Sequence, residues 1–209
     1  MDFTLWLAFV AASTALLIIP GPTVLMVPSY ALGQGRRVAV ACAAGVALGD
    51  GIAMTASLMG LGALVMASAT AFTLLKWAGA VYLVWMGIKL WRSAGAMTLG
   101  RVPSAADIPA HSVFGHATMV TALNPKSIAF FIAFVPQFID AAAPLPPQFV
   151  LLVGTFVTLA TLNALVIALL AARLRDGLRR PSVLQAIART GGAAMIVMGA
   201  ATALTRRTA

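Results

Sequence analysis

VFGHATMVTALNPKSIAFFIAFVP, residues 113–136, is apolar for long enough to cross a bilayer core, which takes about 20 residues in a helix. In its middle, however, stand Asn124, Pro125 and Lys126. Proline removes a backbone donor and breaks a helix, and an ammonium at this depth costs at least ~2.5–3.5 kcal/mol on insertion scales. These residues therefore predict a broken membrane helix with a polar site at the break.

Five other stretches are also long and apolar, so the sequence predicts an all-α integral membrane protein with about six transmembrane helices. Of its 209 residues, 61% are hydrophobic and 9% are charged, against ~45–50% and ~25% in ordinary soluble domains. This composition excludes a soluble enzyme and a disordered chain, and a single cysteine excludes a disulfide scaffold. The other predicted spans are residues 3–27, 38–66, 71–90, 149–172 and 190–204, the last with an alternative start near 183.

The basic residues predict the orientation of these spans. The connections after spans one, three and five are rich in Lys and Arg, whereas the other two connections, 67–70 and 137–148, hold none. Because positive loops face the cytoplasm, both termini should lie on the outer side of the membrane, although Arg206 and Arg207 disagree. The first span should be a retained helix and not a signal peptide. A signal peptide begins with a positively charged region, whereas no basic residue precedes this span. The net charge of +9 then indicates contact with membrane lipid and no nucleic acid partner.

The chain also divides into two similar halves within one transporter domain, 1–209. A linker, 92–112, separates repeat one, 1–91, from repeat two, 113–209. Three helices in each half give the halves opposite orientations. Helix 1 is interrupted by Pro20-Gly21-Pro22, as helix 4 is by Asn124-Pro125, and residues 79–87 share three identities with 191–199. Shared composition alone could produce such identities, but inverted repeats with matched helix breaks indicate a transporter with a site near the midplane.

Two ionisable residues dominate the predicted site. Asp50 is the only acidic residue inside a predicted span, and such a group can exchange a proton, hold a substrate ammonium or pair with Lys126. Lys126 should face a cavity, a partner or a substrate unless it snorkels to the interface. The polar groups of Tyr82 and Asn163 suit either substrate contact or helix packing. The predicted substrate-binding residues are Pro20, Gly21, Pro22, Thr23, Asp50, Tyr82, Asn124, Pro125, Lys126 and Asn163, with Asp50 also coupling the proton.

Motifs of catalysis are absent from the sequence: there is no G-x-S-x-G, no P-loop and no H-E-x-x-H. We therefore expect no enzymatic activity and no cofactor. Two histidines, His111 and His116, make a poor metal site on their own, so we also expect no metal site. Two alternatives remain open: a cation or metal exporter of the same broad fold, and a non-transporting membrane receptor or assembly subunit.

Four motifs stand out along the chain: Pro20-Gly21-Pro22, Gly45–Asp50, Lys76–Leu83 with Gly87, and Leu123–Lys126 with Phe130-Phe131 and Pro136-Gln137-Phe138. Together they resemble the lysine-exporter (LysE/RhtB) family of bacterial amino-acid efflux transporters, and the match covers nearly the whole chain. The resemblance implies a small carrier in the bacterial inner membrane with about six spans, driven by the proton motive force and often a homodimer. Its substrate would be an amino acid or a similar small metabolite. Thr23 departs from the family pattern, which often has Asn, Asp or Lys there.

These predictions combine into one hypothesis for transport. The broken helices 1 and 4 meet near the midplane, where Asp50 exchanges the proton and receives the substrate ammonium. Lys126 and free backbone N–H groups at the breaks bind the substrate carboxylate. Rocking of the two halves then exposes the site to each side of the membrane in turn, which is proton antiport by alternating access.

Overall fold

The computed structural model describes residues 1–19, 21–96, 108–140, 143–178 and 181–204. Within these ranges every regular element is a helix, which confirms the all-α prediction. Apart from single 3-10 turns at Ala94–Ala96 and Val135–Phe138, the elements are α1 (Phe3–Ile18), α2 (Pro22–Ala67), α3 (Ala69–Ser93), α4 (Ala110–Ala122), α5 (Pro125–Ala133), α6 (Leu145–Leu178) and α7 (Pro181–Leu204).

Three helical segments among the described residues are long and apolar enough to cross a membrane alone, and up to five are if each of two bent helix pairs is one span. They fit a multi-pass membrane protein. The third predicted span lies within α3, a 25-residue helix that is not among these candidates, so the number six stays a prediction. The candidates are Arg36–Gly60, Leu145–Leu170, Ser182–Leu204, the pair Phe3–Ile18 with Pro22–Ala31, and the pair Ala110–Ala122 with Pro125–Phe138.

Both helix breaks expected from the sequence are present. α1 and the start of α2 meet at a bend of 61° around Gly21, and α4 meets the segment that begins with α5 at 43° around Asn124. Pro22 and Pro125 each stand at the first position of a helix, where the missing N–H would have no partner anyway. The Asn124 side chain also caps α5, because its oxygen accepts a hydrogen bond from the Lys126 N–H at 3.1 Å.

One predicted connection takes a different form. The sequence predicts a non-helical link over residues 28–37, but α2 stays helical there, and polar residues such as Gln34 are ordinary helix formers. Thr23 and Gly49 nevertheless both lie against Thr121 of α4, whereas a straight helix would hold them roughly 39 Å apart. The chain therefore reverses direction between the two candidate spans within α2.

Two buried hydrophobic clusters flank the helix breaks. The first, which we call the aromatic cluster, contains six phenylalanine rings whose neighbouring centroids are 4.8–6.1 Å apart. It lies on the side of the predicted outer connections. The second contains smaller side chains, including Val27, Val46 and Ala117, and lies toward the basic connections. The aromatic cluster consists of Phe9, Phe130, Phe131, Phe134, Phe138 and Phe156.

Glycine allows close approach at two helix crossings. A Cβ atom at Gly49 would lie 2.6 Å from the carbonyl oxygen of Thr118 on α4, and one at Gly87 of α3 would lie 2.6 Å from that of Gly192 on α7. No side chain fits in either place, so the backbones themselves are in contact, as at other small-residue interfaces of membrane helices. These contacts hold α4 against α2 and α7 against α3, and thereby position the site between them.

Candidate substrate site

Lys126 stands at the start of α5 and is almost fully buried, with 7% of its surface exposed. Its ammonium donates hydrogen bonds to the carbonyl oxygens of Leu16, at 3.0 Å, and Ile19, at 2.8 Å. These oxygens lie at the end of α1, where the last carbonyls of a helix lack partners and form the negative end of its dipole. The break after α1 therefore supplies the acceptors that make a buried ammonium tolerable.

Asp50 faces the same region from the second half of α2 and is 2% exposed. Its Oδ1 atom is buried and has no hydrogen-bond partner among the described residues. Asp50 and Lys126 both line a small cavity of about 20 Å³, which we call the polar cavity and which has room for about one water molecule. Because Lys126 bonds to α1 instead, the direct pair with Asp50 that the sequence left open is not formed.

Three further predicted residues, Thr23, Asn124 and Asn163, also line the polar cavity. The hydroxyl groups of Thr23 and Thr121 share a hydrogen bond of 3.3 Å, and Asn124 Nδ2 donates to Thr23 Oγ1 at 3.3 Å. On the facing side, Asn163 Nδ2 of α6 donates to the carbonyl of Leu17 at 3.4 Å. Polar groups from α2, α6 and both helix breaks thus meet in one enclosed space.

A second cavity, which we call the large cavity, has a volume of about 400 Å³, within the ~300–1,000 Å³ typical of small-molecule sites. Buried Asn124 and Lys126 line its inner end, and exposed Lys89 and Ser93 mark its mouth. Because Asn124 and Lys126 line both cavities, the start of α5 separates them. The apolar part of its wall comes from Leu25, Trp85, Met86, Leu90 and Met195.

The predicted site residues divide between these two cavities. Pro20 lies outside the described residues, and each of the others lines at least one cavity. Asn124 and Lys126, at the break before α5, line both cavities, so they connect the two parts of the site. The polar cavity holds Thr23, Asp50 and Asn163, the large cavity holds Gly21, Pro22, Tyr82 and Pro125, and Asn124 and Lys126 are shared.

Some contributors to the site were missed in the sequence. Ser127 lines the polar cavity, and its position directly after Lys126 at a predicted break was an available signal. Trp85 and Met86 line the large cavity with Tyr82, and their spacing of three and four residues places them on one helix face. The carbonyl of Leu16 had no such signal, because any residue type can present a main-chain acceptor.

Metal ligands do not assemble in the part of the chain that the structure describes: no group of three or more His, Cys, Asp or Glu side chains occurs there. His116 instead shares a hydrogen bond of 3.1 Å between its Nδ1 atom and the hydroxyl of Tyr30. A hard cation needs several oxygen ligands, so the described residues give no support to the cation-exporter alternative.

Comparison with known proteins identifies the family. The family model described as LysE type translocator matches residues 5–206. This chain belongs to the LysE translocator family. The resemblance to LysE/RhtB transporters is thereby confirmed, and the multi-pass membrane architecture is the one expected of such a translocator. The family is a family of transporters, which agrees with the absence of enzyme motifs from the sequence.

Individual relatives span most or all of the chain. A homoserine/homoserine lactone efflux protein of Salmonella typhimurium is 35% identical over 209 residues, which cover 99% of each chain. An uncharacterized membrane protein of Vibrio cholerae is 34% identical over 88% of this chain and 89% of its own. A leucine efflux protein of Salmonella choleraesuis is 30% identical over 65% of this chain and 64% of its own. No solved structure matches this LysE translocator.

Proposed function

We propose that this LysE translocator is a secondary-active exporter of amino acids or closely related small metabolites, working by proton antiport with alternating access. The relatives named as homoserine and leucine efflux proteins support this substrate class. The observation that carries the proposal is that one small cavity between two broken helices is lined both by a carboxyl group with an unpartnered oxygen and by a buried ammonium. We place the exporter in the bacterial inner membrane, with its basic connections in the cytoplasm and its termini outside.

In this proposal Asp50 carries the proton. A buried carboxylate oxygen without a partner is costly, and a proton or the ammonium of a substrate removes that cost. Only one of the two can occupy Asp50 at a time. Substrate binding from the cytoplasm therefore releases the proton, and proton binding from outside displaces the substrate. This competition couples export to the proton gradient.

Lys126 receives the substrate carboxylate. An ammonium has three N–H donors, and two of them bond to Leu16 and Ile19. The third is proposed to bind a carboxylate that enters from the large cavity, which Lys126 also lines. Lys126 would thus hold the substrate at the point where the two cavities are closest, within reach of Asp50.

Alternating access requires two halves that can exchange roles, and the α3–α7 crossing supports the inverted repeats. Gly87 of α3 lies against Gly192 of α7, and Gly199 of α7 lies against Ala80 of α3. Gly87 and Gly199 are 112 residues apart in the sequence, and so are Ala80 and Gly192. The same offset relates the two proposed repeats, so it converts the first contact into the second. Such reciprocal contacts are the property of an interface around a two-fold axis. We therefore propose that repeat one comprises residues 1–91, the linker residues 92–112 and repeat two residues 113–209.

One side of the site is open and the other is closed, as expected in one state of an alternating-access cycle. The large cavity opens near Lys89 and Ser93, at the end of α3 that is predicted to be cytoplasmic. On the opposite side, the aromatic cluster fills the space between the site and the predicted outer surface. This arrangement supports an inward-facing state. A homodimer remains an expectation from the family resemblance.

The proton role is tested with purified protein in liposomes loaded with radiolabelled homoserine. With an imposed pH gradient, Asp50→Asn should lower export at least tenfold. Exchange of labelled for unlabelled homoserine without a gradient should persist at a lower rate, because the Asn oxygen still accepts a hydrogen bond from the substrate ammonium. The exchange separates loss of coupling from loss of folding. Asp2→Asn, at an exposed acidic residue far from the site in sequence, is the matched control.

Full gradient-driven export by Asp50→Asn would overturn the proton role. No flux of any amino acid with the wild-type protein would overturn the exporter itself and favour the non-transporting receptor or subunit.

A further inference from the structure

The large cavity has an unequal distribution of charge. Its lining residues include two lysines, Lys89 at the mouth and Lys126 at the inner end, and no acidic side chain among the residues that the structure describes. The Lys126 ammonium donates hydrogen bonds to carbonyl groups at the end of α1, whereas Lys89 lies on the exposed side of the cavity. Any substrate that enters from this side must therefore pass a cation.

Lys89 contacts an aromatic ring of the cavity wall. Its ammonium lies 5.2 Å from the centroid of the Trp85 ring, and a cation over an aromatic face is attracted by the ring quadrupole. Both residues line the large cavity. The contact keeps a positive charge beside the apolar wall, where a substrate side chain would lie once its carboxylate reaches Lys126.

We propose that Lys89 is a specificity-determining residue, which excludes amino acids with cationic side chains from the large cavity and admits those with uncharged ones. This inference rests on the proposed export function and adds the position that selects the substrate side chain. An uncharged side chain can pack against Leu25, Met86 and Met195 on the cavity wall. A cationic one would bring a second positive charge to the same wall, with no acidic partner there.

The size of the effect follows from Coulomb repulsion between two cations at the mouth of the large cavity. Like charges a few ångströms apart repel strongly when water screens them incompletely, and like-charge contacts are a common way to reject a wrong partner. We expect this repulsion to favour an uncharged substrate by about tenfold or more. Reversal of the charge at residue 89 should remove the repulsion and add an attraction.

The test compares norleucine with lysine, which have side chains of similar length but different charge. Export of both is measured in liposomes with an imposed pH gradient, and the norleucine-to-lysine ratio is the readout. Lys89→Glu should lower this ratio at least tenfold, Lys89→Gln should lower it less, and Lys89→Arg should retain it. Arg92→Glu, which makes the same charge change at an exposed residue of α3 that lines neither cavity, should leave the ratio unchanged.

A ratio that is the same in wild type, Lys89→Glu and Lys89→Gln would overturn this inference while leaving the exporter intact. An equal change in Arg92→Glu would also overturn it, because general surface charge would then explain the result. Absence of export of both amino acids by the wild-type protein would instead contradict the proposed function. Lys89 is exposed, and the neutral Lys89→Gln variant provides a reading even if the charge reversal impairs folding.

Discussion

The two helix breaks hold opposite kinds of unsatisfied backbone group. The break after α1 presents carbonyl oxygens, and these are satisfied from the other half of the chain by the ammonium of Lys126. The break before α5 presents N–H groups, and one of these is satisfied locally by the side chain of Asn124. The first break therefore depends on the second, whereas the second carries its own cap. Matched positions in the two halves have acquired different chemistry.

This difference assigns Lys126 two tasks. Two of its N–H groups hold the end of α1, and the third is the proposed contact for the substrate carboxylate. Whatever draws the ammonium away from Leu16 and Ile19 also frees the end of α1. Substrate binding is thereby linked to the position of a helix in the other half, which is the connection that alternating access needs.

Removal of the ammonium should have the largest effect on this arrangement. In Lys126→Met, the carbonyl of Ile19 loses its donor and that of Leu16 keeps only the Ile19 N–H. An unsatisfied buried carbonyl costs about 1–3 kcal/mol, and the carboxylate contact disappears as well. We expect export to fall about 100-fold and the thermal unfolding temperature in detergent to drop. Radiolabelled flux and a thermal unfolding scan measure the two effects.

Lys76→Met is the matched control for Lys126→Met, because Lys76 lies on α3 and lines neither cavity. Its export should stay within a factor of two of wild type. If Lys126→Met exports as well as this control, the proposed carboxylate contact is wrong.

Loss of the local cap should have an intermediate effect. Asn124→Ala removes the acceptor for the Lys126 N–H and the donor to Thr23, and loss of an N-cap costs about 0.5–2 kcal/mol. We expect a lower unfolding temperature and export reduced up to about tenfold. Asn124→Ser restores a capping side chain and should recover most of the stability. Failure of Ser to improve on Ala would show that the cap is not the important contact.

The smallest effect should come from the hydroxyl group that connects the two breaks. Thr23→Val keeps the side-chain shape but removes hydrogen bonds to Thr121 and Asn124, both 3.3 Å long. Net contributions of about 0.5–1.5 kcal/mol per bond predict a loss of export of a few-fold. Thr23→Ser keeps the hydroxyl and should behave like wild type. Equal flux in the Val and Ser variants would remove Thr23 from the site.

The sequence was most informative where it placed costly residues in apolar surroundings. Prolines, a lysine and an aspartate at membrane depth predicted both breaks and the main charged groups, because each is too unfavourable there to be accidental. The number of spans was harder to predict. α3 forms as a helix but is not among the candidate spans of the described residues, so the number six stays a prediction.

Other properties of the site depend on packing between distant segments and could not be predicted. The acceptors of Leu16 and Ile19 are main-chain atoms, which leave no trace in residue type. The division into a polar and a large cavity depends on how α5 lies between α2 and α3, and no local pattern encodes this. The reversal within α2 was likewise obscured, because its residues remain compatible with a helix throughout.

The aromatic cluster has an electrical consequence. In the proposed inward-facing state, the six packed rings would separate the site from the outer solution, and most of the membrane voltage would fall across them. A proton that crossed this layer would move through most of that voltage, worth about 2.3 kcal/mol per 100 mV. In the proposed cycle, the membrane potential would therefore act at the step that parts these rings.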